Sequence, residues 1–253
     1  MDQTCRDKNT PEVYYTDADG VRFMRLGTQW IQGTMRLSAP NDLDLEYAQR
    51  MMSWLLFVKA PSVSKRHIMQ LGLGAGSLTK FSHQKLRMRT TAVEINPEVV
   101  SACRAWFKLS PDDKLLKTVV ADALLEVKKP QWRGAVDVLQ VDAYDHEAEA
   151  PVLDSEAFYA DVHRALTADG FMMVNHFGRS ANFSQSVQRI GAVFGPAAIW
   201  SFSATGSGNT VLLVQRTPRA VSFDLLVERA REVETRWHLP ALSWLRELSP
   251  PPR

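Results

Sequence analysis

A glycine-rich turn separates a predicted strand, His67–Leu71, from a predicted helix, Ser77–Lys85. The turn has the sequence LGLGAGS over residues 71–77, with glycine at every second position. Glycine lets the backbone come close to a ligand, and the N-terminus of the following helix offers it unpaired N–H groups. This order of elements predicts an α/β domain that holds a ligand at one edge of its sheet.

Predicted strands and helices alternate beyond this turn, which is typical of a parallel sheet covered by helices on both faces. The further strands are Thr90–Glu94, Thr118–Ala121, Val136–Val141 and Phe171–Asn175. The further helices are Pro97–Leu109, Ala123–Lys128, Ser155–Leu166, Phe183–Phe194 and Phe223–Arg236. Ile199–Phe202 and Thr210–Gln215 predict a closing hairpin. We therefore predict a Rossmann-like, doubly wound, mostly parallel sheet of seven strands with a C-terminal antiparallel hairpin.

The first 40 residues have a different pattern. Val13–Thr16 and Val21–Leu26 flank the turn sequence DADG, and Trp30–Leu37 alternates well enough to be a third strand. A helical pattern follows Pro40 and continues through Val58. We predict a small β-hairpin or meander segment over residues 1–40 and the Rossmann-like domain over residues 41–253.

The composition excludes several classes of protein. Of the 253 residues, 45% are apolar and 23% are charged, so the chain is not disordered, collagen-like or disulfide-stapled. The longest apolar run, Trp54–Val58, is far shorter than the ~20 residues of a membrane span, and no membrane partner is expected. Cys5 and Cys103 are isolated and the first ten residues are polar, which favours a cytoplasmic protein.

Charge is unevenly distributed along the chain, although the formal net charge is only +2. Residues 47–93 contain no Asp or Glu, and residues 134–163 contain no Lys or Arg. The basic segment is best interpreted as a solvated face, and we expect no nucleic-acid partner. The acidic segment surrounds and follows the predicted fourth strand, at the edge of the sheet where ligands bind.

Carboxylates stand at the ends of three further predicted strands. Glu94 ends the second strand, Asp122 the third and Asp142 the fourth. Because parallel strands end at one edge, we expect these side chains beside the glycine-rich turn. Glu94 has the spacing of a carboxylate that binds ribose hydroxyls. Ser77 replaces the last Gly or Ala of the dinucleotide fingerprint, and the Gly-Lys-Ser/Thr of a P-loop is absent.

The spacing GxGxG, followed by Glu94 and Asp122, resembles class I enzymes that bind S-adenosylmethionine or its decarboxylated form. Further segments are HIMQLGLGAGSLTKF (67–81), VEINPEVV (93–100), VAD (120–122), VDVLQVDAYD (136–145) and FYADVHRALTADGFMMVN (158–175). In order and spacing they resemble the spermidine synthase, or polyamine aminopropyltransferase, family. That resemblance implies aminopropyl transfer from decarboxylated S-adenosylmethionine to a polyamine acceptor, with S-adenosylmethionine as the alternative co-substrate, no metal, and a homodimer.

The resemblance also implies which residues hold the donor. They are Gly72, Gly74, Gly76, Glu94, Asp122 and Ala123. Glu94 would bind the ribose hydroxyls, and Asp122-Ala123 would bind the adenine. Gln32, in the segment after the hairpin, would contact the nucleoside and belong to the substrate-binding residues.

Asp142 and Asp145 match a D-x-x-D pair of that family. A primary amine must lose a proton before it attacks the carbon next to the sulfonium, and a carboxylate can accept that proton. Asp142 would be this general base. Asp145 would hold the distal ammonium of the acceptor, with Tyr144 beside it.

Departures from the family pattern keep two other functions open. Ala75 stands where the family usually carries an Asp that binds the aminopropyl ammonium. Glu46-Tyr47 lies out of register with a tyrosine-histidine-glutamate motif, and His146 replaces a Pro. The second function is a methyltransferase that uses S-adenosylmethionine itself, and the third is a nucleoside-binding paralogue without turnover.

Overall fold

The computed structural model describes residues 12–27, 31–143, 153–177 and 182–251. Within these ranges an N-terminal sheet consists of β1 (Val13–Ala18), β2 (Val21–Leu26) and β3 (Ile31–Arg36). The main sheet consists of β4 (His67–Leu71), β5 (Arg89–Glu94), β6 (Leu116–Val120), β7 (Val136–Val141), β8 (Leu166–Phe177), β9 (Ile199–Phe202), β10 (Asn209–Gln215) and β11 (Leu248–Ser249). The α-helices are α1 (Glu46–Arg50), α2 (Ser77–Lys80), α3 (Pro97–Trp106), α4 (Ala123–Glu126), α5 (Glu156–Ala165), α6 (Asn182–Phe194), α7 (Phe223–Trp237) and α8 (Ala241–Glu247).

The strands of the main sheet are ordered β11-β9-β10-β8-β7-β4-β5-β6. The neighbours from β8 to β6 pair in parallel, whereas β10, β9 and β11 pair antiparallel. The predicted Rossmann-like, mostly parallel sheet with a C-terminal antiparallel hairpin is confirmed. Among the described residues the sheet has one strand more than predicted, because the two-residue β11 pairs with the outer side of β9.

Helices cover both faces of the main sheet, and its central strands are therefore apolar on both sides. On β8, Phe171 and Met173 pack towards α7, α8 and the 3₁₀ turn Ser53–Phe57. Met172 and Val174 pack on the opposite face, with α5 and α6. This two-sided burial is the doubly wound arrangement that the sequence predicts.

The predicted helix that runs through Val58 is wrong, because α1 ends at Arg50 and a 3₁₀ turn follows. The side-chain amide of Gln140 on β7 donates to the carbonyl oxygen of Met51 at 3.0 Å. In an unbroken helix that oxygen would accept from Leu55. The N–H of Leu55 instead donates to Met52, at 3.0 Å, which tightens the chain into the 3₁₀ turn.

The N-terminal sheet packs on the glycine-rich turn and on α3. Met24 and Met35 share a core with Leu73 and Ala75 of the turn, so β3 lies directly beside it. The predicted boundary at residue 40 stays a prediction. The helices in the described part of the chain are too short or too polar to span a membrane.

Candidate active site

The ends of β4, β5, β6 and β7 meet at one edge of the sheet. The N–H of Gly72 donates to Val93 at 2.9 Å, and the N–H of Asp142 donates to Leu71 at 3.0 Å. The N–H of Ala121 joins the end of β6 to the carbonyl of Glu94, also at 3.0 Å. The structure therefore brings the glycine-rich turn, Glu94, Asp122 and Asp142 to the same edge.

The glycines of the turn have backbone conformations that disfavour a side chain. The φ angles of Gly72, Gly74 and Gly76 are +89°, +51° and +69°. A Cβ atom at Gly72 would overlap the carbonyl oxygen of Asp142, and one at Gly74 would stand 2.7 Å from the carbonyl oxygen of Gln32. The turn is thus packed between the end of β7 and β3, in addition to offering an open backbone to a ligand.

One buried side chain of α3 contacts the turn, and a second buried side chain joins α2 to the end of α3. Cys103 on α3 donates its S–H to the carbonyl oxygen of Gly74 at 3.0 Å, and burial raises the pKa of this thiol to about 12. Lys80 on α2 donates to the carbonyl oxygen of Phe107 at 2.8 Å, and burial lowers its pKa to about 8. Cys103 is therefore a neutral thiol that holds the turn.

The carboxylate of Glu94 connects the turn to the end of β5. Its Oε2 accepts from the N–H of Leu73 at 2.9 Å, and its Oε1 accepts from the N–H of Asn96 at 2.9 Å. Burial raises the pKa of Glu94, and these backbone donors oppose that rise. Each oxygen of an ionised carboxylate has two acceptor positions. The N–H of Ile95 is a third backbone donor to this carboxylate, so Glu94 keeps acceptor capacity for at least one hydroxyl donor, such as a ribose hydroxyl.

Asp122 caps α4 and stands next to exposed apolar side chains. Its Oδ1 accepts from the N–H of Leu124 at 2.8 Å, and Ala123 begins the helix half-buried. Ile95, the residue after Glu94, is 70% exposed, and Leu125 is 64% exposed. Ile95 follows the end of β5 and Leu125 lies on α4, and an exposed apolar side chain at such a position can contact the flat face of a base. Ile95 was not among the residues predicted from the sequence. The signal available was its position, as an apolar residue directly after the strand-ending carboxylate Glu94.

Asp142 is held by two side chains from other elements. Asn175 on β8 donates from Nδ2 to Oδ1 of Asp142 at 2.9 Å. The hydroxyl of Tyr47 on α1 donates to Oδ2 at 3.4 Å. Burial raises the pKa of Asp142, and the two donors lower it. Neither Asn175 nor the role of Tyr47 followed from the sequence, because both contacts depend on how distant elements pack.

A cleft runs from Asp142 towards the N-terminal sheet. It is lined by Gln32, Thr34, Tyr47, Gln70, Ser77 and Asp142, among others. Gln32 thus lines the cleft, and its predicted contact with the nucleoside stays a prediction. Tyr144 and Asp145 lie outside the described residues, so their predicted contacts stay predictions.

Ala75 packs against β3 with only 2% of its surface exposed. A Cβ atom at Gly33 would stand 2.7 Å from the Cβ of Ala75, so the two backbones approach as closely as small residues allow. Ala75, which stands where the family usually carries an Asp, therefore lacks a carboxylate and also allows β3 to pack closely on the turn. In the part of the chain that the structure describes, no three His, Cys, Asp or Glu residues are grouped to hold a metal ion.

The chain was compared with known proteins, and no family model matches it. A polyamine aminopropyltransferase of Chromobacterium violaceum is 33% identical over 230 residues, which is 90% of this chain and 86% of the relative. A probable spermidine synthase from Corynebacterium glutamicum has a TM-score of 0.74 at 19% identity, with 92% and 88% of the two chains covered. Human methyltransferase-like protein 13, in complex with SAH, has a TM-score of 0.67 at 23% identity, with 77% and 93% covered. The two structural likenesses show the fold.

Proposed function

The chain belongs to the polyamine aminopropyltransferase family, and we propose that it transfers an aminopropyl group from decarboxylated S-adenosylmethionine to a polyamine acceptor. The observation that carries this proposal is the position of Asp142. It is a carboxylate with a raised pKa, held by Asn175 and Tyr47 at the edge where the glycine-rich turn and Glu94 meet.

The residues at this edge fit the adenosyl part of the donor. Gly72, Gly74 and Gly76 leave the turn without side chains, and Glu94 keeps acceptor capacity for a ribose hydroxyl. Asp122-Ala123 would bind the edge of the adenine, whose flat face would lie against Ile95. Gln32 would contact the nucleoside from β3.

Asp142 would accept the proton of the attacking amine. The donor supplies a carbon bonded to a positively charged sulfur; the amine nitrogen forms a bond to that carbon, and the electron pair of the broken C–S bond goes to sulfur. The proton that leaves the nitrogen passes to Asp142. A general base works best when its pKa is close to the working pH, so the burial that raises the pKa of Asp142 favours this role.

Asp145 and Tyr144 would hold the distal end of the acceptor. A polyamine carries a positive charge at each amine, and the acidic segment between residues 134 and 163 gives a field that attracts it. This product chemistry would give the protein a role in polyamine biosynthesis. We also propose, from the family resemblance, a cytoplasmic homodimer; light scattering on the purified protein should give twice the mass of the chain.

The direct test is a panel of acceptors with decarboxylated S-adenosylmethionine as donor, with methylthioadenosine measured as product. Diamines and triamines should be turned over. Asp142→Asn should lower kcat on the order of a hundred- to ten-thousand-fold, whereas Asp145→Asn should mainly raise the KM of the amine. Asp169→Asn is the matched control, because Asp169 is exposed near the start of β8 and pairs with Arg219. Full activity of Asp142→Asn on an amine would contradict the mechanism.

Methyl transfer from S-adenosylmethionine is the second candidate, favoured by Ala75. A carboxylate at this position would repel the carboxylate of S-adenosylmethionine, and Ala75 removes that repulsion. Calorimetric titration with both donors decides between the candidates. If S-adenosylmethionine binds more tightly and only methyl acceptors are turned over, methyl transfer replaces the first proposal. If the donors bind but no acceptor is turned over, the protein is a nucleoside-binding paralogue.

A further inference from the structure

We propose that Asn175 and Asn209 form an amide relay that keeps Oδ1 of Asp142 an acceptor of hydrogen bonds, so that Oδ2 is the oxygen that takes the proton of the substrate amine. This inference rests on the proposed function for the identity of the substrate. It makes Asn175 and Asn209 positioning residues, because neither is argued to touch the reacting atoms.

The relay crosses two antiparallel neighbours of the main sheet. Asn209 on β10 donates from Nδ2 to Oδ1 of Asn175 at 3.1 Å, and Asn175 on β8 donates from Nδ2 to Oδ1 of Asp142 at 2.9 Å. Asn175 is 4% exposed and Asn209 is 6% exposed. Hydrogen bonds that are shielded from water in this way are stronger than exposed ones.

The far end of the relay is fixed by the loop before β10. The hydroxyl of Ser207 donates to Oδ1 of Asn209 at 3.0 Å. The backbone N–H of Asn209 donates to Oγ1 of Thr205 at 3.0 Å, and its carbonyl accepts from the N–H of Thr205 at 2.7 Å. With Ser207 as donor to its oxygen, Asn209 presents its amide nitrogen to Asn175, and the ionised Asp142, which only accepts, requires the same direction from the other end of the relay.

The direction of the relay determines which oxygen of Asp142 can be protonated. Because Asn209 donates to the oxygen of Asn175, Asn175 must turn its NH₂ group towards Asp142. A proton on Oδ1 would then face the N–H of Asn175, and the hydrogen bond between them would be lost. A proton on Oδ2 costs no such bond, since the hydroxyl of Tyr47 can rotate and accept from it.

The relay also keeps the carboxylate in its basic form, since a donor to the ionised state favours that state. Among the described residues, no charged side chain contributes to the pKa of Asp142; burial raises it, and Asn175 and Tyr47 lower it. A change of pKa after mutation of the relay can therefore be assigned to the relay.

The test uses Asn175→Leu and Asn209→Leu, which replace each amide by an apolar side chain with the same branching and number of heavy atoms. Thr210→Val is the matched control, because Thr210 follows Asn209 on β10 and lies outside the relay. We expect the acid limb of the pH profile of kcat to move up by about one pH unit in Asn175→Leu, and by less in Asn209→Leu. The affinity for methylthioadenosine should stay that of the unmutated protein. A fall in kcat that is equal at every pH would overturn the proposal and indicate a structural role only.

A second measurement keeps the relay testable independently of turnover. The ¹³C signal of the Asp142 carboxyl group, assigned by its loss in Asp142→Asn, reports the pKa directly. If the unmutated protein transfers no aminopropyl group, the proposed function fails while this titration still decides the relay. Asn209→Ser, whose hydroxyl is too short to reach Asn175 but keeps the site polar, replaces Asn209→Leu if the latter does not fold. An unchanged Asp142 titration in Asn175→Leu and in the Asn209 variant would overturn the relay.

Discussion

The hydroxyl of Tyr47 lies 3.4 Å from Oδ2 of Asp142, across 95 positions of the sequence. This hydrogen bond connects α1 to the residue that follows β7 at the candidate site. Helix α1 ends at Arg50, and the chain returns to the sheet through the 3₁₀ turn Ser53–Phe57. The same short helix thus closes one side of the cleft.

Tyr47→Phe should raise the pKa of Asp142, because the variant lacks one of the two donors to the carboxylate. A distance of 3.4 Å is long for an O–H···O bond, so we expect the acid limb of kcat to move by only a few tenths of a pH unit and kcat at neutral pH to fall about two- to five-fold. Tyr159→Phe is the control: Tyr159 lies on α5, and its hydroxyl donates at 2.8 Å to Asp154, which lies just before that helix. A change of equal size in the control would contradict the prediction.

Glu94→Gln should weaken the binding of methylthioadenosine. Glutamine has one acceptor oxygen where Glu94 uses two, so its NH₂ group would face the N–H of Leu73 or of Asn96 and loosen the turn. Loss of charge-assisted bonds to the ribose corresponds to roughly ten- to a hundred-fold in Kd. Isothermal titration calorimetry measures it, with Glu228→Gln on the exposed side of α7 as the control. An unchanged Kd in Glu94→Gln would remove Glu94 from the donor site.

Gly33→Ala should displace the glycine-rich turn. The new Cβ would stand 2.7 Å from the Cβ and 2.8 Å from the backbone nitrogen of Ala75, distances that require β3 or the turn to move. We expect a loss of stability of about 1–3 kcal/mol and weaker donor binding, measured by denaturant unfolding and calorimetry. Gly191→Ala on α6 is the matched control, because its nearest neighbour would be 3.8 Å away and alanine favours a helix. Donor binding as tight as in the unmutated protein would show that β3 does not support the turn.

The sequence predicted the elements whose signal is local. The bounds of β4 and β7 match, because His67–Leu71 and Val136–Val141 are buried strands between clear turns. The common edge of Glu94, Asp122 and Asp142 was predictable because parallel strands end on the same side of a sheet. The roles assigned to these residues stay predictions.

The features that the sequence did not predict depend on contacts between distant elements. The end of α1 follows from Gln140, 89 positions away from Met51. The pair Asn175–Asn209 follows from the antiparallel register of β8 and β10, which places Asn175 opposite Val211 and brings the two amides within reach. Helix α8 was also not predicted; it is a seven-residue element whose Trp244 is buried against the main core.

Asp142→Asn should increase the stability of the protein at neutral pH. Burial raises the folded-state pKa of Asp142 above its ordinary value, so the folded state binds this proton more tightly than the unfolded state does. The contribution of Asp142 to stability is therefore largest at low pH, falls as the pH rises from about 4 through the folded-state pKa, and is constant above it. Asparagine can keep both contacts, because its oxygen can accept from Asn175 and its NH₂ group can donate to Tyr47.

The difference in unfolding free energy between variant and unmutated protein should grow across that window, by about 1.4 kcal/mol for each pH unit that separates the folded-state pKa from the unfolded-state pKa. Urea unfolding at intervals between about pH 4 and pH 8 measures it. Glu94, whose pKa is raised in the same direction, is present in both proteins and cancels in the difference. Parallel stability curves over this range would show that Asp142 titrates at its ordinary value and would contradict its role as a buried base.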